Sequence, residues 1–237
     1  MVMKKQSMYS VFYNDEYREN FNENYELMLT DIENGKFNLN ITDYVQHYEN
    51  ILDDEICNQI VDGIDKNPNI LKFSDKLSDL LRTGTFVNTF VPYDEFNQNI
   101  EKIIKDVIGK ISQKYTSDVR PLYYSYGDKF NHFSYHVLKY GPEDYFKVHH
   151  DHYAETLNYS RLFTISLYLN EEYEGGELTF PSVGKKYKPK KGDAIVFPSN
   201  WMFYHGVEKI TSGNRYSIIV WVGIDLENCF IDFFGKW

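Results

Sequence analysis

The chain has 237 residues and a formal net charge of −10, with 42% hydrophobic and 25% charged residues, the balance of an ordinary globular protein of one or two domains. Lys and Arg cluster only in the short run at 184–192, so the chain lacks a phosphate-tracking groove and we expect no nucleic-acid partner. Its two distant cysteines, Cys57 and Cys229, exclude a disulfide framework and a cysteine-based zinc site, and we expect both thiols to be reduced.

Residues 1–40 are polar and weakly patterned, and we interpret them as a peripheral extension with some helix. They lack the apolar segment of a signal peptide, and no apolar run is long enough to cross a membrane. We therefore expect a soluble, cytoplasmic protein with no membrane partner.

Two helices are predicted after this extension. The first starts near Asp53, which can cap it, and carries an apolar stripe of isoleucines four residues apart in "DDEICNQIVDGI". The second spans "NQNIEKIIKDVIGKISQKY", and its apolar side chains recur along one helical face: Ile100, Ile103, Ile104, Val107, Ile108 and Ile111. Both helices are predicted to supply core packing.

After Pro121 the pattern changes to short aromatic and β-branched runs separated by turn residues. The predicted strands are "FSYHVLKY", "FKVHHD", "RLFTISLYL", "GELTFP", "DAIVFP" and "RYSIIVWV". This order predicts an antiparallel β-sandwich or barrel with the earlier helices on one face. We expect one domain over 41–237, with helical support at 41–120 and the β core at 121–237.

The stretch "FKVHHDH" crowds three histidines and an aspartate into four positions. Because neighbouring side chains of a strand point to opposite faces, either an H-x-H or an H-x-D pair can face a given pocket. The H-x-H pair, His150 and His152, would suit a non-enzymatic, cupin-like metal-binding module. That site needs a glutamate further along, and Glu155 follows too closely.

The H-x-D pair, His149 and Asp151, requires a third ligand from elsewhere, and His205 is well placed after the strand "DAIVFP". Two histidines and one carboxylate form the facial triad of non-haem Fe(II) oxygenases, which leaves positions open for a chelating co-substrate and O2. Arg215 and Ser217 open the last predicted strand and share one face. Together they can hold a carboxylate, such as the far end of 2-oxoglutarate.

These motifs resemble those of the Fe(II)- and 2-oxoglutarate-dependent dioxygenases of the prolyl hydroxylase group, over about residues 44–224. The similar stretches are "NILDDEICNQIVDGI", "KYGPEDYFKVHHDH", "RLFTISLYLNEEYEGGELTFPSVG" and "PKKGDAIVFPSNWMFYHGVEKITSGNRYSIIVWV". The resemblance implies a double-stranded β-helix, or jelly roll, with helices against one sheet. It also implies Fe(II), 2-oxoglutarate and O2 as cofactor and co-substrates, and allows ascorbate.

Residue by residue, the resemblance implies that the metal ligands are His149, Asp151 and His205, with no further catalytic residue. It implies Arg215, Tyr168 and Tyr140 as the co-substrate site, beside the Ser217 already inferred from the strand, and Trp221 and Thr179 as the substrate pocket. The expected reaction is hydroxylation with release of succinate and CO2. A prolyl residue of a peptide or protein is the expected substrate, and a free amino acid or another small molecule is the alternative.

Overall fold

The computed structural model describes residues 15–67, 70–72, 81–87, 95–126, 130–152 and 161–223. Within them the helices are α1 (Asp15–Glu33), α2 (Asp54–Lys66), α3 (Glu95–Asp118) and α4 (Arg120–Tyr126), with a short 3₁₀-helix at Ile41–Tyr44. The strands are β1 (Gln46–Tyr48), β2 (Ile70–Lys72), β3 (Thr85–Val87), β4 (Asn131–Tyr140), β5 (Phe146–His149), β6 (Phe163–Tyr168), β7 (Tyr173–Gly175), β8 (Leu178–Phe180), β9 (Lys185–Tyr187), β10 (Ala194–Pro198), β11 (His205–Val207), β12 (Ile210–Gly213) and β13 (Arg215–Gly223).

Both predicted helices are present. Asp53 occupies the N-cap position of α2 in an extended conformation, although its side chain makes no capping hydrogen bond. Acidic residues in the first turn of α2 and Lys66 in its last turn complement the helix dipole. Helix α3 buries one apolar face, which includes Ile100, Ile104 and Ile111.

The larger sheet has seven strands in the order β1-β10-β6-β13-β4-β3-β2, and all neighbouring strands are antiparallel. Its outer face packs on α2 and α3 through Val137, Ile165, Val196 and Ile218. The helices therefore cover one face of the sheet, as the sequence predicts.

The smaller sheet has the order β5-β11-β8-β9 and faces the inner side of the larger sheet. Apolar side chains fill the space between the two sheets, among them Leu138, Phe180, Phe197 and Val207. Strands β7 and β12 form a separate two-stranded ribbon. Two facing antiparallel sheets of this kind match the jelly-roll fold expected from the sequence.

The inner face of the larger sheet carries polar side chains where a sandwich normally places apolar ones. Thr164 and Ser166 on β6 and Arg215 and Ser217 on β13 are all at most 1% exposed. Burying polar groups is costly unless they find partners, so this row marks the part of the interior built for something other than packing.

Asp31 joins the end of α1 to α4. Its buried carboxylate accepts hydrogen bonds from Lys36 Nζ at 2.7 Å, Arg120 Nε at 2.8 Å and the Tyr124 hydroxyl at 2.8 Å. The C-terminal half of the predicted extension is thus tied to the helical layer. The prediction for residues 1–14 falls outside the described part of the chain.

The described helices are each too short or too polar to cross a bilayer. Cys57 is a buried free thiol, and Cys229 lies outside the described residues.

Candidate metal centre and its cavity

Three metal-ligating side chains meet at one end of the jelly roll, between the two sheets. His149 is the last residue of β5, and His205, the first residue of β11, lies directly opposite it in the antiparallel pair. The Asp151 carboxylate completes the group, with Oδ1 3.3 Å from His149 Nε2 and Oδ2 3.5 Å from His205 Nε2. The three ligand atoms lie within 4.8 Å of one another, which suits three ligands on one face of a single ion.

Backbone carbonyls set the tautomer of both histidines. His149 Nδ1 lies 2.8 Å from the Lys147 carbonyl oxygen, and His205 Nδ1 lies 3.0 Å from that of Phe203. Because a carbonyl only accepts hydrogen bonds, each Nδ1 carries the proton. Each Nε2 faces Asp151 and is the ring nitrogen left for a metal.

The Asp151 carboxylate is buried yet charged. Burial alone would raise its pKa, but His205 and His149 outweigh that effect and hold the pKa of Asp151 well below its usual value. Thr164 Oγ1 donates to Asp151 Oδ2 at 2.8 Å and lies 3.0 Å from the Ser199 hydroxyl. Burial also lowers the pKa of His149, which favours the neutral imidazole that binds a metal.

The structure brings together the H-x-D pair rather than the H-x-H pair. The ring of His150 packs edge-on against Tyr204 at 5.2 Å, and the exposed His152 points to the surface. The strand argument needs one correction, because β5 ends at His149 and Asp151 lies beyond it. A hydrogen bond from the Asp151 backbone N–H to the Ser199 carbonyl, 3.1 Å long, holds that residue in place instead.

Arg215 lies in the same cavity as the three ligands. It is 1% exposed, and its Nη1 donates to Ser217 Oγ at 3.2 Å. Its Nε and Nη2 have no hydrogen-bond partner among the described residues. A buried cation with two unpaired donor nitrogens is strongly unfavourable by itself, so this end of the cavity fits an anion that the forked guanidinium can bind.

Tyrosine hydroxyls surround that guanidinium. Its carbon lies 4.9 Å from the ring centre of Tyr168 and 5.8 Å from that of Tyr140. Both hydroxyls are buried and unpaired within the described structure. Burial raises the pKa of Tyr140 to about 12, so its phenol is protonated at neutral pH and can donate a hydrogen bond.

Tyr173 is a further member of this group that the sequence did not indicate. It is 3% exposed, and its hydroxyl finds no partner in the described region. Burial raises its pKa to about 12, against the opposing charge of Arg215. Gly176, at φ +68°, lies close to both residues: a Cβ there would collide with Ile210 and would lie 3.2 Å from Tyr173 and 3.3 Å from Arg215. The chain has 21 tyrosines, and the sequence does not distinguish Tyr173 from the others. Its role becomes visible only in the fold, where the β7–β12 ribbon places it beside Arg215.

The other end of the cavity contains one of the two predicted pocket residues. Trp221 lines the cavity, with the Arg161 guanidinium 4.1 Å from its ring centre and His136 edge-on at 4.8 Å. Its indole N–H is buried without a partner among the described residues. The structure places Thr179 outside the cavity, where its hydroxyl donates to the Gly206 carbonyl at 3.3 Å. Its neighbour Leu178 lines the cavity instead.

His136 is another cavity-lining residue that the sequence did not single out. Burial lowers its pKa to about 4, and the charges of Arg82 and Arg161 act in the same direction. At neutral pH it is therefore an uncharged imidazole between Trp221 and the ring of Phe86, which lies 5.7 Å away.

Known proteins similar to this chain are oxygenases and prolyl hydroxylases. Residues 135–223 match the model of the 2OG-Fe(II) oxygenase superfamily, a segment that contains the three ligand-type residues and Arg215. Prolyl 4-hydroxylase 1 of Arabidopsis thaliana is 33% identical over 110 residues, which cover 36% of this chain and 39% of that protein. A putative prolyl 4-hydroxylase of Acanthamoeba polyphaga mimivirus is 31% identical over 102 residues, covering 36% and 42%. This chain thus spans about two-fifths of the length of these relatives.

Solved structures share the fold. A viral collagen prolyl hydroxylase from Paramecium Bursaria Chlorella virus-1, crystallised with 2OG, has a TM-score of 0.55 at 23% identity, over 76% of this chain and 95% of that one. A prolyl hydroxylase from Trichoplax adhaerens, in complex with a hypoxia-inducible-factor peptide, has a TM-score of 0.55 at 15% identity, over 88% and 93%. These likenesses confirm the predicted fold class, and the superfamily match confirms the resemblance seen in the sequence.

Proposed function

We propose that this chain, which contains a 2OG-Fe(II) oxygenase domain at residues 135–223, is an Fe(II)- and 2-oxoglutarate-dependent dioxygenase that hydroxylates a prolyl residue of a peptide or protein. One observation carries the proposal. A His-His-Asp group and a buried arginine with unpaired donors line a single cavity. A metal site alone needs no such arginine, which disfavours the alternative of a non-enzymatic cupin-like module.

His149, Asp151 and His205 would hold the iron. Bound there with 2-oxoglutarate, Fe(II) supplies the O2 chemistry that hydroxylates the substrate and leaves succinate and CO2. The protein's contribution is to fix the donor set. The two backbone carbonyls aim the Nε2 atoms, and Thr164 orients the carboxylate by donating to one of its oxygens.

Arg215 would bind the distal carboxylate of 2-oxoglutarate through its unpaired Nε and Nη2. The Tyr168 and Tyr140 hydroxyls would donate to the same carboxylate. Ser217 keeps the guanidinium in position, because its hydroxyl accepts from Nη1. The apolar side chains between the sheets, such as Leu138 and Ile219, exclude water from the space between anchor and metal.

The Trp221 end of the cavity would receive the target residue. The unpaired indole N–H of Trp221 can donate to a carbonyl of the substrate. The relatives named prolyl 4-hydroxylase support a prolyl residue over a free amino acid. Ascorbate use and a cytoplasmic location stay predictions.

The first test adds Fe(II) and then 2-oxoglutarate to the protein without oxygen. We expect a visible charge-transfer band of the iron chelate, lost in His149→Ala and kept in His150→Ala, a matched control whose ring faces Tyr204. A proline-rich peptide, supplied with O2, should then drive succinate release above the rate seen with free L-proline. Absence of the band in the wild type, or its loss only in His150→Ala, would refute the proposal.

A further inference from the structure

The imidazole of His149 stacks on Phe146, which also contacts Arg82. The ring of Phe146 lies 3.6 Å from it, centre to centre, at an angle of 20°. The Arg82 guanidinium lies 5.0 Å from the centre of the Phe146 ring. We propose that Arg82 and Phe146 form a brace that positions His149 for metal binding, an inference that rests on the proposed role of His149 as a ligand.

His149 needs such support more than His205 does. β11 lies between β5 and β8, and His205 is 5% exposed against the rings of Phe180 and Phe197. β5 is at the edge of its sheet, and its pairing with β11 is irregular between Phe146 and His149. The carbonyl contact at Nδ1 fixes one atom of the His149 ring but not its plane. The flat face of Phe146 fixes the plane.

Backbone pairing holds Arg82 beside Phe146. Arg82 and Phe146 form an antiparallel bridge. Beside it, the Thr83 N–H donates to the Tyr145 carbonyl at 3.0 Å, and the Tyr145 N–H donates to Thr83 Oγ1 at 3.2 Å. These bonds tie residues 81–87 to the start of β5. A displacement of that segment would therefore reach the metal ligand through Phe146.

The same segment also touches the co-substrate end. At Gly84, with φ +109°, any Cβ would collide with the ring of Tyr140. Only glycine lets the chain pass that close to the tyrosine. Arg82 thus contacts Phe146, which stacks on the proposed ligand His149, and Gly84 lies against Tyr140, a proposed co-substrate residue.

The test measures Co(II) binding, by titration and by the visible absorption of the bound ion, so that it does not depend on turnover. Phe146→Leu removes the flat ring and should weaken Co(II) binding about tenfold and shift the absorption. Phe146→Tyr keeps the ring and should restore both. Arg82→Met keeps the aliphatic stem without the charge and should weaken binding about two- to fivefold.

The matched control is Phe86→Leu, because Phe86 stacks on His136, a cavity histidine outside the ligand set. It should bind Co(II) as the wild type does. Wild-type affinity in Phe146→Leu, or an equal loss in Phe86→Leu, overturns the brace. If Phe146→Leu fails to fold, Arg82→Met decides, and unchanged affinity there overturns it.

The two proposals fail separately. A wild type that binds Co(II) but releases no succinate with any peptide refutes the hydroxylase and leaves the brace standing. Full succinate release by the wild type, together with unaltered Co(II) binding in the brace variants, supports the hydroxylase and refutes the brace.

Discussion

Replacing Arg215 with methionine should remove 2-oxoglutarate binding without lowering the stability of the protein that lacks the co-substrate. In that state, two guanidinium nitrogens are buried without partners in the described structure, and each such donor costs about 1–3 kcal/mol. Methionine keeps the volume and carries no donor, so the unfolding free energy should hold or rise. With a carboxylate bound, two charge-assisted hydrogen bonds worth about 1.5–3 kcal/mol each are lost. At the low end, about 3 kcal/mol, the Kd of 2-oxoglutarate rises roughly 100-fold.

Thermal melting of the iron-loaded protein under nitrogen measures both effects. At a co-substrate concentration of about 100 times Kd, the wild type gains about 2.7 kcal/mol. For a chain of this size, that raises Tm by about 5–10 °C. At the same concentration, the variant is at about its own Kd, gains about 0.4 kcal/mol and moves by about 1 °C.

Arg215→Lys is the control, because lysine keeps the positive charge but lacks the paired donors of the guanidinium. Its Tm shift should fall between the other two. A full shift in Arg215→Met would refute the carboxylate anchor. A large drop in Tm without co-substrate would instead show that the guanidinium already has a stabilising partner in the folded protein.

Three other predictions concern single side chains around the cavity. Tyr173→Phe should raise the Kd of 2-oxoglutarate about fivefold in the same melting assay and leave Co(II) affinity unchanged, because its hydroxyl faces the anchor and not the metal. Thr164→Val should weaken Co(II) binding about tenfold by calorimetry, and Thr164→Ser should not, because only the hydroxyl holds Asp151. Burial lowers the pKa of His136 from 6.5 to about 4, so protons favour the unfolded state. The stability contributed by neutral His136 should be complete above about pH 6.5 and fall by about 3 kcal/mol towards pH 4. Urea unfolding at pH 7 and pH 4.5 should therefore show a smaller decline for His136→Gln than for the wild type.

The helices and the long strands could be predicted because their patterns repeat over enough residues. Helix α3 shows six apolar positions on one face, and β13 is a nine-residue run of mostly apolar residues. Strands such as β1, β9 and β11 have three residues each. Three residues hold too little pattern to separate a strand from a turn. The pairing of β1 and β11 also depends on partners more than 20 positions away.

The parts of the site with a local signature could also be predicted. His149 and Asp151 are two positions apart, as are Arg215 and Ser217. Tyr173 could not be found in this way, because it belongs to the site only through the turn at Gly175 and Gly176. Thr179 was assigned to the pocket by resemblance, and the pleat of β8 turns the neighbouring Leu178 inward instead.

Alternation along β13 explains how one strand serves both ends of the cavity. Arg215, Ile219 and Trp221 line the cavity, and Ile218, Val220 and Val222 pack on the helices. At about 3.3 Å per residue, Arg215 and Trp221 lie about 20 Å apart along this strand. The proposed co-substrate anchor and the proposed substrate contact thus lie on one central strand, between β4 and β6. The metal ligands come from the facing sheet and the turn after its edge strand. That sheet packs against the inner face of the sheet that contains β13, and the proposed brace of Arg82 and Phe146 would position His149 within it.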